Sequence, residues 1–307
     1  MKPMERDKFL NLPVEEVANI VRAGGSKVCV FPFNGTRRWF LLEYGRDFEG
    51  DAAQNYVELT THGYINIYKL VFEHGIDTIV APVFGGEILN RGDEYMREIG
   101  ASMSLLATHP AFLEFYEANG IRVHFYGDYR KKLSGTPYAD ICDIFDNVTY
   151  QTAHHTQRRL FYGVWADEST ETIAELSVKH YQENGKIPTR GELIKKYYGE
   201  SIEKADIFIG FEKFNVFDYP MLGWGEESLY FTVAPSLYLS DRQLRNILYD
   251  YVYLRPVQDP DYFSMPTDDF EAMRKFYEAN RDVTFGVGEM RGGIWYPKSK
   301  VAEIKKD

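Results

Sequence analysis

The chain has 307 residues, of which 44% are hydrophobic and 26% are charged, so it can bury a sizeable core and is too apolar for a disordered protein. Its formal net charge of −11 argues against binding of nucleic acid or of an anionic membrane surface, because both partners require a basic face. The charged N-terminus does not resemble a signal peptide, and no apolar run is long enough to span a bilayer, so we expect a cytoplasmic protein without stable membrane insertion.

Short apolar runs alternate with helical patterns along the chain. In chain order, we predict strands over Lys27–Phe33, Thr78–Val83, Arg122–Tyr126, Arg159–Val164, Asp206–Ile209 and Leu229–Val233. We predict helices over Pro13–Arg22, Ala53–Glu73, Asp93–Ala107, Pro110–Asn119, Glu168–Asn184, Arg190–Tyr198, Asp241–Tyr253 and Asp268–Asn280. The segment from Gly127 to Gln157 is predicted to be a long and only partly ordered excursion.

Two glycines mark places where a helix passes directly into a strand. Gly75 and Gly120 each follow a helical pattern and precede a β pattern, and glycine readily adopts the left-handed conformation that ends a helix. Repeated connections of this kind predict an α/β fold: a single domain with a central, mostly parallel six-stranded sheet flanked by helices. We assign residues 1–307 to this domain, with a C-terminal extension over about 255–307.

The first predicted strand is followed by a basic loop, Asn34-Gly35-Thr36-Arg37-Arg38, and ligands of parallel sheets bind beyond the carboxyl ends of the strands. Gly35 lets backbone amides approach an oxyanion, and a helix that begins near Thr36 adds its dipole. The two guanidinium groups match the oxygens of a phosphate. A surface turn with solvated arginines is the alternative, but the position directly after a buried strand favours a phosphate-binding loop.

Two further loops follow the second and third strands. Asn90 and Arg91 are predicted to contact the same anion, and the alternative is a surface ion pair between Arg91 and a neighbouring carboxylate. Asp128 and Tyr129 are additional candidates, although an aspartate after a glycine is often only a turn residue.

The histidines and cysteines give no metal motif. His154 and His155 form an adjacent pair in a polar stretch, and neighbours on an extended chain face opposite ways, so we predict that both are solvated. Cys29 and Cys142 predict neither a disulfide framework nor a set of metal ligands.

Three motifs carry a resemblance to a known family. Phe31–Trp39, which reads FPFNGTRRW, is similar to the MDGNGRW signature of the cis-prenyltransferases. Phe84–Arg91 resembles their FSSENWNRP stretch, Leu229–Thr232 resembles their ELYFT, and the spacing of the three motifs agrees. FYGDY at Phe125–Tyr129 and SLYFTVAPS at Ser228–Ser236 resemble a group of bacterial diterpene synthases with the same fold.

The resemblance implies a homodimeric diterpene synthase that ionises a C20 bicyclic prenyl diphosphate of the kolavenyl or tuberculosinyl type. It implies that water captures the allylic cation to give a diterpene alcohol and diphosphate. The diphosphate is expected to bind at Gly35, Thr36, Arg37, Arg38, Asn90 and Arg91. Tyr56 aligns with a tyrosine of the family's site and is expected to position the water.

The chain departs from the family at positions that bear on magnesium. Asn34 replaces an aspartate implicated in metal binding and catalysis, and an amide offers only a neutral ligand and cannot act as a base. Ser228 replaces a glutamate that binds magnesium. Mg²⁺ is nevertheless the cofactor that the resemblance implies, with Asn34 as a weakened ligand. Gly210–Tyr219 lacks the arginines of the family's second diphosphate site, so chain elongation is not expected.

Three alternative functions stay open. The allylic group is transferred to a nucleoside or another acceptor, the protein elongates a prenyl chain, or it is a catalytically silent prenyl-diphosphate-binding protein. The replacement of the family's aspartate by Asn34 motivates the third of these.

Overall fold

Six strands form the central sheet in the computed structural model, which describes residues 4–45, 52–85, 93–255, 261–298 and 300–301. They are β1 (Val28–Val30), β2 (Thr78–Phe84), β3 (Ile121–Tyr126), β4 (Arg158–Val164), β5 (Ile207–Phe211) and β6 (Ser228–Thr232). Their order is β3-β4-β2-β1-β5-β6, and every neighbouring pair is parallel. The predicted α/β fold with a six-stranded sheet is confirmed, and this sheet is parallel throughout.

The chain leaves the sheet at Pro32, earlier than the apolar run predicted. Phe31 still donates its backbone N–H to the carbonyl oxygen of Val80 over 2.8 Å. Pro32 has no N–H to donate, so regular pairing of β1 stops and the chain turns toward the next helix.

Twelve α-helices are present in the described ranges. They are α1 (Arg6–Leu10), α2 (Val14–Arg22), α3 (Thr36–Tyr44), α4 (Ala52–Glu73), α5 (Asp93–Thr108), α6 (Pro110–Ala118), α7 (Tyr129–Leu133), α8 (Ile141–Gln151), α9 (Ser169–Asn184), α10 (Arg190–Tyr198), α11 (Asp241–Tyr249) and α12 (Thr267–Asn280). The predicted helix over Asp241–Tyr253 is α11 followed by a π-helical turn at Asp250–Leu254.

The sheet is covered on both faces, as its apolar strands require. The larger core includes Tyr68 of α4, Phe115 of α6 and Phe145 of α8. The smaller core, on the other face, includes Tyr197 and Tyr198 of α10. No helix in the described part of the chain is both long enough and apolar enough to cross a lipid bilayer.

Both glycines at the predicted helix-to-strand passages have positive φ angles. Gly75 has φ of +98° and Gly120 has φ of +60°. At Gly75 a β carbon would also lie 2.7 Å from the carbonyl oxygen of Ala18, so α2 packs against a position that only glycine can fill.

The prediction of a partly ordered excursion between Gly127 and Gln157 is wrong, because this segment contains α7 and α8. Ile141, Phe145 and Val148 are buried on one face of α8. Their spacing of four and three residues is the helical apolar pattern, which the many polar residues between them obscured.

A C-terminal hairpin was not predicted, although the sequence carries its signal. β7 (Gly288–Arg291) and β8 (Ile294–Pro297) pair in an antiparallel manner. Gly292 and Gly293 connect them with φ angles of +55° and +79°, and two glycines with positive φ are typical of a tight hairpin turn. The division of the chain into one domain over 1–307 with an extension from about 255 stays a prediction.

Candidate functional site

The loop after β1 is tied to the chain segment after β6. The backbone N–H of Asn34 donates to the hydroxyl of Ser236 over 3.0 Å, and the N–H of Ser236 donates to the carbonyl oxygen of Asn34 over 3.1 Å. This reciprocal pair fixes the backbone at residue 34 at the carboxyl edge of the sheet. The side chain is therefore the part of Asn34 that can contact a ligand at this edge.

Gly35 is the residue before α3, and its conformation requires glycine. Its φ is +74°, and a β carbon would lie 2.8 Å from the ring of Phe211 and 3.1 Å from Pro235. No side chain caps α3. The backbone N–H groups of the first turn and the positive end of the helix dipole therefore lie at the carboxyl edge of the sheet. The predicted start of a helix near Thr36 is confirmed.

Tyr56 lies beside the loop. Its hydroxyl is 2.8 Å from the hydroxyl of Thr36 in the first turn of α3. Its ring meets Phe40, one turn further along α3, edge to face with 5.4 Å between centroids. These contacts join the start of α4 to the start of α3 and place two hydroxyl groups together at the edge.

The two arginines of the loop differ in their surroundings. Arg37 is exposed at the edge. Arg38 donates from Nη1 and Nη2 to the two carboxylate oxygens of Glu212, over 3.2 Å and 2.7 Å, and its guanidinium lies 4.9 Å from the ring centre of Phe211. The hydrogen bonds to Glu212 raise the pKa of Arg38. An anion that binds Arg38 must therefore share it with a carboxylate.

Glu212 is a site residue that the sequence analysis missed. It directly follows β5, its backbone N–H donates to the carbonyl oxygen of Thr232 over 2.9 Å, and its φ is +65°. A non-glycine residue in this conformation carries strain of about 1 kcal/mol or more, which the surrounding structure must offset. Its side chain is only 11% exposed, so the carboxylate is held in place against Arg38. A carboxylate directly after a buried strand was the signal available in the sequence.

Aromatic rings lead from the loop into the larger core. The ring of Phe33 stacks on Tyr64 with 4.6 Å between centroids and meets Tyr68 at 5.0 Å. Burial raises the pKa of both tyrosines above the usual value, so their phenols are neutral at physiological pH. Neutral rings present the electron-rich faces that attract a cation.

The other predicted binding residues lie elsewhere or cannot be placed. Asn90 and Arg91 fall outside the described residues, since the described part of that loop ends at residue 85. Asp128 and Tyr129 follow β3, which is three strand positions from β1, or about 14 Å across the sheet. The sheet order therefore separates these two residues from Asn34.

Asp128 and Tyr129 have structural partners of their own. The carboxylate of Asp128 accepts a hydrogen bond from the hydroxyl of Thr172 on α9. The ring of Tyr129 packs edge to face on Phe145 in the larger core, and burial raises its pKa to about 12.

The residues at this edge do not build a magnesium site in the described part of the chain. Asn34 offers a neutral amide, and Glu212 is engaged by Arg38. Mg²⁺ in proteins is bound by carboxylates and substrate phosphates. Ser228 begins β6 and is paired with Ile207 at the start of β5, so it lies at the opposite edge of the sheet from Asn34.

Ser228 instead lines a cleft of about 390 Å³ at the amino edge of the sheet. Lys27 and Tyr251 also line it. The Lys27 ammonium donates to the carbonyl oxygen of Gly24 over 2.9 Å, and the Tyr251 hydroxyl donates to Asp206 over 2.7 Å. These polar groups already have partners within the fold, and ligands of parallel sheets bind at the other edge.

Two curated proteins resemble the chain over nearly its whole length, whereas no protein-family model matches it. A tuberculosinyl adenosine transferase of Mycobacterium tuberculosis (strain CDC 1551 / Oshkosh) is 44% identical over 298 residues, which cover 96% of this chain and 99% of that protein. A (+)-kolavelool synthase of Herpetosiphon aurantiacus is 27% identical over 302 residues, which cover 96% of each chain.

Two solved structures share the fold. A lavandulyl diphosphate synthase from Lavandula x intermedia, in complex with dimethylallyl diphosphate, superimposes with a TM-score of 0.58 at 13% identity, over 77% of this chain and 96% of that one. A probable undecaprenyl diphosphate synthase from Campylobacter jejuni gives a TM-score of 0.54 at 14% identity, over 74% of this chain and 94% of that one. The predicted cis-prenyltransferase-like fold is confirmed.

Replacement of Glu212 by glutamine should tighten the binding of inorganic pyrophosphate on the order of tenfold. Glutamine keeps the size of the side chain but removes the negative charge that now compensates Arg38. Isothermal titration calorimetry with pyrophosphate measures the change. Glu226→Gln is the matched control, because Glu226 pairs with Lys204 at the opposite edge. Weaker binding by Glu212→Gln would contradict this account and would mean that the carboxylate orients Arg38 for the anion.

Proposed function

Because the chain belongs to the family of the tuberculosinyl adenosine transferase, we propose that it ionises an allylic C20 diphosphate and passes the carbocation to an acceptor. The observation that supports this most directly is the position of the loop from Asn34 to Arg38. The loop contains the first residues of α3 at the carboxyl edge of the sheet, and it lies next to Tyr56 and a row of aromatic rings. The proposed substrate has the bicyclic kolavenyl or tuberculosinyl skeleton that the resemblance implied.

The first step breaks the bond between carbon and the diphosphate oxygen, and both electrons stay with the oxygen. The negative charge grows on the diphosphate, so fixed positive groups at that position lower the barrier. Arg37, Arg38 and the amide groups at the start of α3 are the groups proposed for this role, with Asn90 and Arg91 as further contacts. Each such contact contributes on the order of 10²–10³ in rate by analogy with oxyanion donors.

The hydrocarbon and its cation are proposed to lie toward Phe33, Tyr64 and Tyr68. These rings begin at the loop and continue into the core, so a tail anchored by its diphosphate extends along them. Their π faces stabilise a positive charge, and the phenols are held neutral by burial.

Capture by water is the reaction that we propose first. The water oxygen forms the new bond to carbon, and one of its protons leaves to give the neutral alcohol. Tyr56 and Thr36, whose hydroxyl groups are 2.8 Å apart, are the pair proposed to orient that water. Departing diphosphate is a base at the same edge and can accept the proton.

Transfer to a nucleoside is the second candidate, and the relative that is 44% identical favours it, since that protein is a tuberculosinyl adenosine transferase. In this reaction a ring nitrogen of the base donates its electron pair to the same cation. The two candidates share the ionisation step and differ only in the acceptor.

Glu212 argues against chain elongation. The resemblance implies that the family's second diphosphate site uses arginines in the stretch corresponding to Gly210–Tyr219, but this chain places a nearly buried carboxylate directly after β5. Two anions at short distance repel each other in a weakly solvated site. The proposed enzyme therefore holds one diphosphate.

We also propose that the protein is a homodimer. The described part of the C-terminal extension exposes large apolar side chains, with Phe263 fully exposed and Phe285 66% exposed. α12 has no buried residue. Exposed apolar surface of this kind is typical of a surface that binds another protein.

Light scattering should give twice the chain mass of 35.6 kDa, and a mass of one chain would contradict the proposal of a homodimer. The cytoplasmic location stays a prediction.

Replacement of Arg37 by alanine should lower kcat/KM for a C20 bicyclic diphosphate by about 10²-fold, because a group that stabilises the leaving diphosphate is lost. Mass spectrometry of products formed from linear and bicyclic C15 and C20 diphosphates, with and without adenosine, measures turnover and separates the two acceptors. Arg22→Ala is the matched control, since Arg22 pairs with Asp77 at the amino edge. Unchanged turnover by Arg37→Ala refutes the assignment of the loop.

Replacement of Asn34 by aspartate should raise turnover less than tenfold and make it more dependent on Mg²⁺, because a carboxylate binds this ion more tightly than an amide does. The backbone of residue 34 is held by Ser236, so the loop keeps its shape. Rates are measured in Mg²⁺ and in chelator. A gain of 10²-fold or more over a nearly inactive wild type contradicts the proposal and identifies a catalytically silent homologue.

A further inference from the structure

Glu117, His154 and His155 form a cluster that the proposed reaction does not use. Glu117 is on the last turn of α6, and the two histidines follow α8. Their donor atoms lie within 4.8 Å of one another, which is true of no other trio of histidine, cysteine, aspartate or glutamate side chains in the described ranges. The prediction that both histidines are solvated is correct for His154, whose side chain is 61% exposed, and wrong for His155, whose side chain is only 10% exposed. The two rings also do not face opposite ways, since their centres are 3.9 Å apart.

The spacing of the donor atoms is close to that of a metal site. His155 Nε2 is 3.1 Å from Glu117 Oε2, and His154 Nε2 is 3.8 Å from the same oxygen. Zinc bonds to nitrogen and oxygen are about 2.0–2.1 Å long, so two ligands of a tetrahedral ion are about 3.4 Å apart. The observed distances lie on either side of this value, and small rotations of the exposed His154 and Glu117 side chains bring the donor atoms to this spacing.

A hydrogen bond fixes which ring nitrogen of His154, the more exposed of the two histidines, carries the proton. His154 Nδ1 is 2.9 Å from the carbonyl oxygen of Gln151. A carbonyl oxygen only accepts, so Nδ1 carries the proton and Nε2 presents its lone pair. This is the arrangement that metal-bound histidines usually have, in which the second nitrogen donates to a backbone carbonyl or a carboxylate.

We propose that Glu117, His154 and His155 bind a divalent transition-metal ion, with Zn²⁺ as the representative ion and water in the open fourth position. Two imidazoles and one carboxylate are the ligand types that Zn²⁺ takes in three-ligand sites. On binding, the proton that His155 Nε2 now donates to Glu117 moves to Nδ1 or to solvent, and both Nε2 atoms bond to the ion.

The ion joins two connections that lead into neighbouring strands. Glu117 precedes the turn into β3, and the histidines precede β4. The hydroxyl of Thr152 already accepts the backbone N–H of Val123 in β3 over 3.0 Å, so the end of α8 is anchored at this point. The site is at the amino edge of the sheet, opposite the proposed active site, and its role is to stabilise the fold.

A second group of the same residue types provides an internal comparison. Glu58 accepts from His62 on one carboxylate oxygen over 3.0 Å and from His109 on the other over 3.1 Å. Each histidine therefore has its own oxygen, and the three donors do not converge within 4.8 Å. This group has the composition of the proposed site without its geometry.

The test uses untagged full-length protein freed of metal by a chelator and then dialysed. Zn²⁺ is titrated by isothermal calorimetry, and Co²⁺ is titrated by visible absorption to detect a tetrahedral ion. We expect one ion per chain and a higher Tm in Zn²⁺. His154→Gln and Glu117→Gln should each weaken binding at least tenfold and reduce the Tm increase, whereas His62→Gln should leave both unchanged. His154 and Glu117 are 61% and 71% exposed, so these variants should fold, which circular dichroism without metal verifies.

Two results overturn the proposal. One is a wild-type protein that binds neither ion with a Kd below about 1 mM. The other is Zn²⁺ binding that survives His154→Gln or is lost equally in His62→Gln, because the ion then binds at another place.

Discussion

Close packing at Gly35 is the constraint on which the candidate site depends. The ring of Phe211 and the side chain of Pro235 lie where a β carbon of residue 35 would be. The end of β5, the segment after β6 and the start of α3 consequently meet at one backbone position. This close packing sets the direction of α3 and thereby places its first turn, with Thr36 and Arg38, at the carboxyl edge of the sheet.

Charge compensation shapes the site as much as packing does. An acidic chain with a net charge of −11 gathers a few basic groups at one edge, and one of them is already paired with Glu212. The pair neutralises part of the positive charge that the loop from Asn34 to Arg38 brings to this edge. The proposal of a single diphosphate site rests on this pair and on the absence of the family's arginines over Gly210–Tyr219.

The sequence predicted what depends on neighbours along the chain. Apolar runs predicted all six strands, and Gly35 predicted where α3 begins at the carboxyl edge of the sheet. The partner of Arg38 could not be predicted in this way, since Glu212 is 174 residues away and the pairing depends on the strand order β1-β5. The cluster at His154 and His155 was missed for a related reason. The two histidines follow a helix and do not lie on an extended chain, and Glu117 comes from another helix.

The tie between Asn34 and Ser236 spans 202 residues of sequence. We expect this contact to form late in folding, because closing a long loop costs entropy before the contact is gained. During synthesis, the segment around Ser236 leaves the ribosome long after the loop around Asn34 has been made. A nascent chain can therefore contain β1 to β4 while the loop from Asn34 to Arg38 still lacks its anchor, so the backbone of that loop is fixed only when the last third of the polypeptide has joined the sheet.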